Sequence, residues 1–128
     1  MSRPEFSSEL IEFIFHRIQS VSDFEVLILL AKNSGRAWLV HEISAELRTS
    51  ERSALVSLEL LGAAGLVLKS EKQPLAFQFN SRSRDAKLVH ELLHLYPIFY
   101  SRLVRLIYER PNHTLQRFAD AFRIRRED

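Results

Sequence analysis

Two sets of residues in this chain have the types and the spacing to do chemistry. The first is His90-Glu91-Leu92-Leu93-His94, an HExxH string. On a helix its two imidazoles stand one turn apart, where they could share a zinc ion while the glutamate activates a water. The same five letters also satisfy a plain amphipathic helix, with Leu92 and Leu93 continuing the apolar stripe of Leu88 and Val89. A metalloprotease needs a third protein ligand. Downstream of His94 stand Leu95-Tyr96-Pro97 rather than a glycine and a further histidine, and Pro97 interrupts the helix just after the second ligand. No catalytic residue, metal ligand or cofactor is therefore assigned, and the chain is not expected to be an enzyme. A narrower alternative remains: His90 and His94 as a regulatory divalent-metal site in a metal-responsive repressor. His16, His41 and His113 have no carboxylate or hydroxyl partner at suggestive spacing.

The second set suits phosphates and base edges. Arg52 could take a guanine, Ser53 and Ser57 could reach phosphate or base, and Val56 could touch a thymine methyl. Arg48, Ser50, Lys69, Lys72 and Arg36 are the candidates to hold phosphate. The same stretch also carries Glu59, which would meet a phosphate backbone unfavourably, and Leu60, left in solvent. An alternative therefore stands beside the duplex-DNA reading: a protein-interaction module in which Val56, Leu60 and Ala63 bind a partner helix or another subunit.

The elements that must position these residues follow from periodicity. Ile43 and Leu47, four apart, face one side of a short helix. A turn follows at Arg48 and Thr49. Ser50 is a natural N-cap for a second helix, along which Ala54, Leu58 and Leu61 form one stripe before Gly65 ends it. Leu66 to Leu68 and Leu75 to Phe79 alternate as the arms of a hairpin around Ser70-Glu71-Lys72-Gln73-Pro74, and Ala37 to Val40 is a short strand. Ahead of these, Ser7 or Ser8 caps an apolar first helix, which must pack on the chain's own C-terminal helices or on a second subunit. Ser22 to Glu25 reads as the capping box of the next helix. From Ser83 a helix runs to Pro97, which marks a kink or a new start. A further helix ends at Pro111, and a last one holds Leu115, Phe118, Ala119 and Phe122, followed by the charged tail Arg123 to Asp128.

The spacing from Ile43 through small Ser44, Leu47, Ser50, Ala54, Leu58 and Leu61 to Ala64-Gly65-Leu66-Val67 resembles the winged helix-turn-helix superfamily, of the MarR- and ArsR-like kind. Two departures stand out: Ser44 occupies a position usually held by alanine, and Arg48 one often held by glycine. The flanking helices and the ending LIYERP to LQRFADAFRIRRED are similar to a group of small bacterial winged-helix proteins. The resemblance implies a mainly α fold with a small β-wing and flanking N- and C-terminal helices. Residues 1–21 would be an N-terminal helix for packing or dimerisation, 22–82 the winged domain, and 83–128 a helical segment for dimerisation. Its function would be that of a transcriptional regulator binding duplex DNA as a homodimer.

Composition bounds these readings. With 128 residues, 46% of them hydrophobic, the chain can bury a core of one domain. The absence of cysteine excludes disulfides, thiol nucleophiles and cysteine-ligated zinc. No apolar stretch is long enough to span a bilayer and no signal peptide is recognisable, so a cytoplasmic location is expected. The three glycines, Gly35, Gly62 and Gly65, form no phosphate-binding loop. The net charge of +2 is uneven: Lys plus Arg against Asp plus Glu stands at 4 to 5 for residues 1–40, 4 to 5 for 41–80 and 10 to 6 for 81–128. The excess of positive charge lies behind the helix-turn-helix region, whereas duplex binding depends on cations that neutralise phosphates.

Overall fold

The structure is a computed structural model that describes residues 6–109. The last expected helix, over residues 112–122, and the tail from Arg123 lie outside the described residues. Five helices and a three-stranded antiparallel sheet are found among the described residues, in the order α1 (Ser8–Arg17), α2 (Val21–Lys32), β1 (Trp38–Leu39), α3 (Val40–Leu47), α4 (Glu51–Ala63), β2 (Val67–Lys69), β3 (Ala76–Phe79) and α5 (Ala86–Tyr108).

Helix α2 is the centre of the core. Phe24 and the run from Val26 to Ala31 are all buried, so this helix is apolar on every side rather than along one stripe. It packs against α4, α5 and β3. Its start corrects the expected capping box. The N-cap is Ser20, whose Oγ accepts from the Asp23 backbone N–H at 3.1 Å, while Asp23 Oδ2 accepts from the Gln19 N–H at 3.1 Å. Ser22 and Glu25 are used for tertiary contacts instead: Ser22 Oγ meets Ser57 Oγ of α4 at 2.9 Å, and Glu25 accepts from the Tyr100 hydroxyl of α5.

Helix α1, capped by Ser7, buries Leu10, Phe13 and Ile14 and packs on α5 of its own chain, joined at the edge by an Arg17–Asp85 ion pair at 3.4 Å. Helix α5 bends where Pro97 removes a backbone donor: Phe99 leaves helical angles, at φ −116 and ψ 32. Around the bend Tyr96 and Tyr100 pack on Phe24.

The sheet order is β1-β3-β2, with Trp38 opposite Phe77 on one side of β3 and Val67 opposite Phe79 on the other. Phe77 and Phe79 point inward and are buried, as their alternation with Ala76 and Gln78 requires. The hairpin holds itself: Ser70 Oγ accepts from the Ala76 N–H at 2.9 Å and donates to the Lys72 carbonyl at 3.1 Å. No helix among the described residues is long and apolar enough to cross a membrane.

Candidate nucleic-acid interface

The candidate site is the surface of α4, and its geometry starts at the turn before it. Arg48 ends α3 in the left-handed region, at φ 55 and ψ 47. Ser44 braces this turn: its carbonyl accepts from the Thr49 N–H at 3.1 Å and its hydroxyl donates to the Thr49 carbonyl at 2.6 Å. A serine at this small-residue position thus supplies a bond that alanine would not. Ser50 then caps α4 by accepting from the Ser53 N–H at 3.0 Å. The other end closes around Gly65 at φ 81, with the Leu66 N–H returning to the Leu61 carbonyl and the Gly65 N–H to Gly62. These paired bonds satisfy carbonyls that a helix end would otherwise leave open.

Between its caps α4 buries Ala54, Ser57, Leu58 and Leu61 against α2 and α3. Ser57 was expected among the base-contacting residues, and the structure corrects this. It is 2% exposed, with its hydroxyl held by Ser22. Arg52 and Val56 do lie in solvent, Ser53 is half-buried, and Arg48 and Ser50 are exposed at the turn. Towards the C-terminal end the exposed residues are Glu59, Leu60, Gly62 and Ala63. Val56 is 52% exposed and Leu60 38%, so beyond its first turn the outward face offers apolar side chains and the Glu59 carboxylate but no side-chain donor.

A groove of about 560 Å³ runs along this face. Arg52, Ser53, Val56 and Leu60 form one wall, and Gln19, Ser20 and Asp23 from the α1–α2 junction form the other. The second wall was not anticipated. Its signal was present as Ser20-x-x-Asp23, the box that places the start of α2 beside α4. On the opposite flank of α4 a smaller hollow of about 320 Å³ lies against the hairpin, lined by Leu58, Glu59, Gly62, Val67, Lys69 and Phe77.

Comparison with protein-family models, with curated proteins and with solved structures gives no match.

The remaining candidate cations sit apart. Lys69 and Lys72 are exposed on the hairpin, beside the also exposed Leu68. Arg36 is engaged within its own chain: its guanidinium stacks 3.5 Å from the centroid of the Trp38 ring and lies 3.6 Å from Glu42 Oε1. The same Glu42 oxygen accepts from the Leu39 N–H at 2.9 Å, at the start of α3. That bond, assisted by Arg36, holds the Glu42 carboxyl below its usual range despite some desolvation. Beneath Arg36, Trp38 is buried, and its Nε1 has no hydrogen-bond partner.

His90 and His94 are exposed on α5, with His94 Nδ1 3.0 Å from the His90 carbonyl oxygen. No group of three His, Cys, Asp or Glu side chains among the described residues is placed to hold a metal ion. Around α4 the structure thus brings together an exposed helix face, the exposed Arg48, Glu51 and Arg52 at its N-terminal end, and a hairpin at its side.

Proposed function

We propose that residues 22–82 form a winged helix-turn-helix unit that binds duplex DNA, with α4 as the reading helix and the β2–β3 hairpin as the wing. Arg52 takes a guanine, Ser53 and Val56 meet neighbouring base edges, and Arg48, Ser50, Lys69 and Lys72 hold phosphate. Two copies on a homodimer occupy successive half-sites, and regulation of transcription follows from occlusion of the bound segment. The observation that carries this reading is the exposure of Arg52 in the first turn of α4, with Arg48 exposed at its entry.

The test is fluorescence anisotropy of a mixed duplex pool against salt. Three phosphate-binding cations in each subunit, six in the dimer, predict a slope in log affinity against log salt of about −5.4. At a selected site, Arg52→Ala should weaken binding by about 1–3 kcal/mol and leave the melting temperature unchanged. Duplex binding that is undetectable even at low ionic strength would refute the proposal.

A specific observation favours a second reading, protein binding by the same helix. Val56 and Leu60 are exposed along an open groove, and Glu59 beside them disfavours phosphate. If a protein is the ligand, Leu60→Asp abolishes its capture while Arg52→Ala has the smaller effect.

A further inference from the structure

The two most exposed large hydrophobic residues among the described ones are Ile98 and Tyr108, each 71% exposed, and both lie on α5. Ile98 stands at the middle of a row of charges that are also in solvent: Lys87, Glu91, Arg105 and Glu109. Lys87 and Glu109 are eleven residues before and after Ile98, and Glu91 and Arg105 are seven before and after. Eleven residues make three helical turns and seven make two, at about 3.6 residues per turn, so the five side chains share one side of the helix. The bend at Phe99 does not disperse them, because the buried stripe of Val89, Leu92, Leu103 and Ile107 keeps its helical spacing across it and leaves the opposite side to this row.

From the N-terminus to the C-terminus the row runs positive, negative, isoleucine, positive, negative. Reversing its direction inverts every sign. None of the four charged groups makes an ion pair within the described residues, although Glu9, Glu12, Arg17 and Arg84 line the hollow beside Lys87 and Glu91.

We infer that this face of α5 binds a second copy of the chain, antiparallel and two-fold symmetric about Ile98. Ile98 packs on Ile98 of the partner subunit, Glu91 meets the partner's Arg105, and Lys87 meets the partner's Glu109. Symmetry makes each ion pair twice. A parallel arrangement in the same register would set each charge against its like, so the sequence of signs selects the antiparallel one. Tyr108 then lies beside the partner's Leu88, a half-buried residue. This deepens the homodimer of the proposed function by naming its surface. It concerns no residue of α4, so a protein that fails to bind DNA can still form this dimer.

Sedimentation velocity of the full-length protein across the micromolar range, without DNA, tests it. The wild type should be a dimer, and Ile98→Asp a monomer with unchanged helix content. Glu91→Arg and Arg105→Glu should each weaken the dimer about tenfold, since each turns two attractive contacts repulsive. Combining them should restore the affinity to about wild type. The chain has no cysteine, so Ile98→Cys gives a second readout. A residue on the two-fold axis meets itself and should form an intersubunit disulfide under mild oxidation, whereas Lys87→Cys alone should not. A monomeric wild type, a double reversal no tighter than the single ones, or equal cross-linking from positions 87 and 98 would each overturn the inference.

Discussion

Replacing Arg48 by glycine should stabilise the fold and, on the DNA reading, weaken binding. Arg48 is the non-glycine residue at positive φ among the described residues, at φ 55 and ψ 47. In that region Cβ crowds the following carbonyl oxygen, at a cost of about 1–2 kcal/mol. Glycine removes the clash, but its more disordered unfolded chain takes back about 0.5–1 kcal/mol. The difference is a net stabilisation of about 0.5–1 kcal/mol, which raises the melting temperature of a body this size by roughly 2–8 °C. The turn itself does not depend on the arginine side chain. Its bonds run from the backbone N–H groups of Arg48 and Thr49 to the Ser44 carbonyl, and from the Ser44 hydroxyl to Thr49.

The control is Arg48→Ala, which removes the guanidinium and keeps Cβ. Thermal unfolding followed by circular dichroism should place the glycine variant above both wild type and alanine. In the anisotropy titration the two variants should behave alike, each lowering the magnitude of the salt slope by about 1.8 as one phosphate contact disappears from each subunit of the dimer. If glycine is no more stable than alanine, backbone strain is not stored at this turn. If the slope is unchanged, Arg48 does not touch phosphate.

Two further measurements probe the contacts that organise α2. Ser20→Ala should cost about 1 kcal/mol by removing the helix cap, whereas Ser22→Ala leaves the buried Ser57 hydroxyl without its partner and should cost about 1–3 kcal/mol; adding Ser57→Ala to Ser22→Ala should cost less than the sum of the two single changes in denaturant unfolding. The Tyr100 phenol, hydrogen-bonded to Glu25 and partly desolvated, is pushed from 10.0 up to about 12. Because the folded value is the higher one, the stability this contact contributes is fully present below pH 10.0 and is lost as pH rises towards about 12. Absorbance titration should show a late-ionising tyrosinate component that Tyr100→Phe removes.

Much of the fold was legible because it is local. Ala54, Leu58 and Leu61 declare their common face by spacing alone, Ser50 declares the cap in front of them, and Gly65 the stop behind them. The start of α2 was not legible for a physical reason. The segment Ser20-Val21-Ser22-Asp23-Phe24-Glu25 contains two overlapping boxes, Ser20 with Asp23 and Ser22 with Glu25, and local chemistry is satisfied by either. The choice is made by distant partners: Ser57, which engages Ser22 across 35 positions, and Tyr100, which engages Glu25 across 75.

The same reasoning explains why the outer surface of α4 was only half legible. At about 100 degrees per residue, Ser57 sits roughly 60 degrees from Ala54, on the shoulder of the buried stripe rather than opposite it. A shoulder residue is exposed or buried according to what lies beside the helix, and α2 lies there, delivering the Ser22 hydroxyl. Ser53, on the same shoulder one turn earlier, faces the groove and stays half-buried. Val56 and Leu60 lie further round, beyond the reach of α2, and they are exposed as their angle requires. The burial of Ser57 therefore confines the side-chain hydrogen-bond donors of the outer face to the first turn of the helix. Any base recognition by α4 must be concentrated at Arg52 and Ser53, while the Val56 and Leu60 end is left to apolar contact with a thymine methyl or with protein.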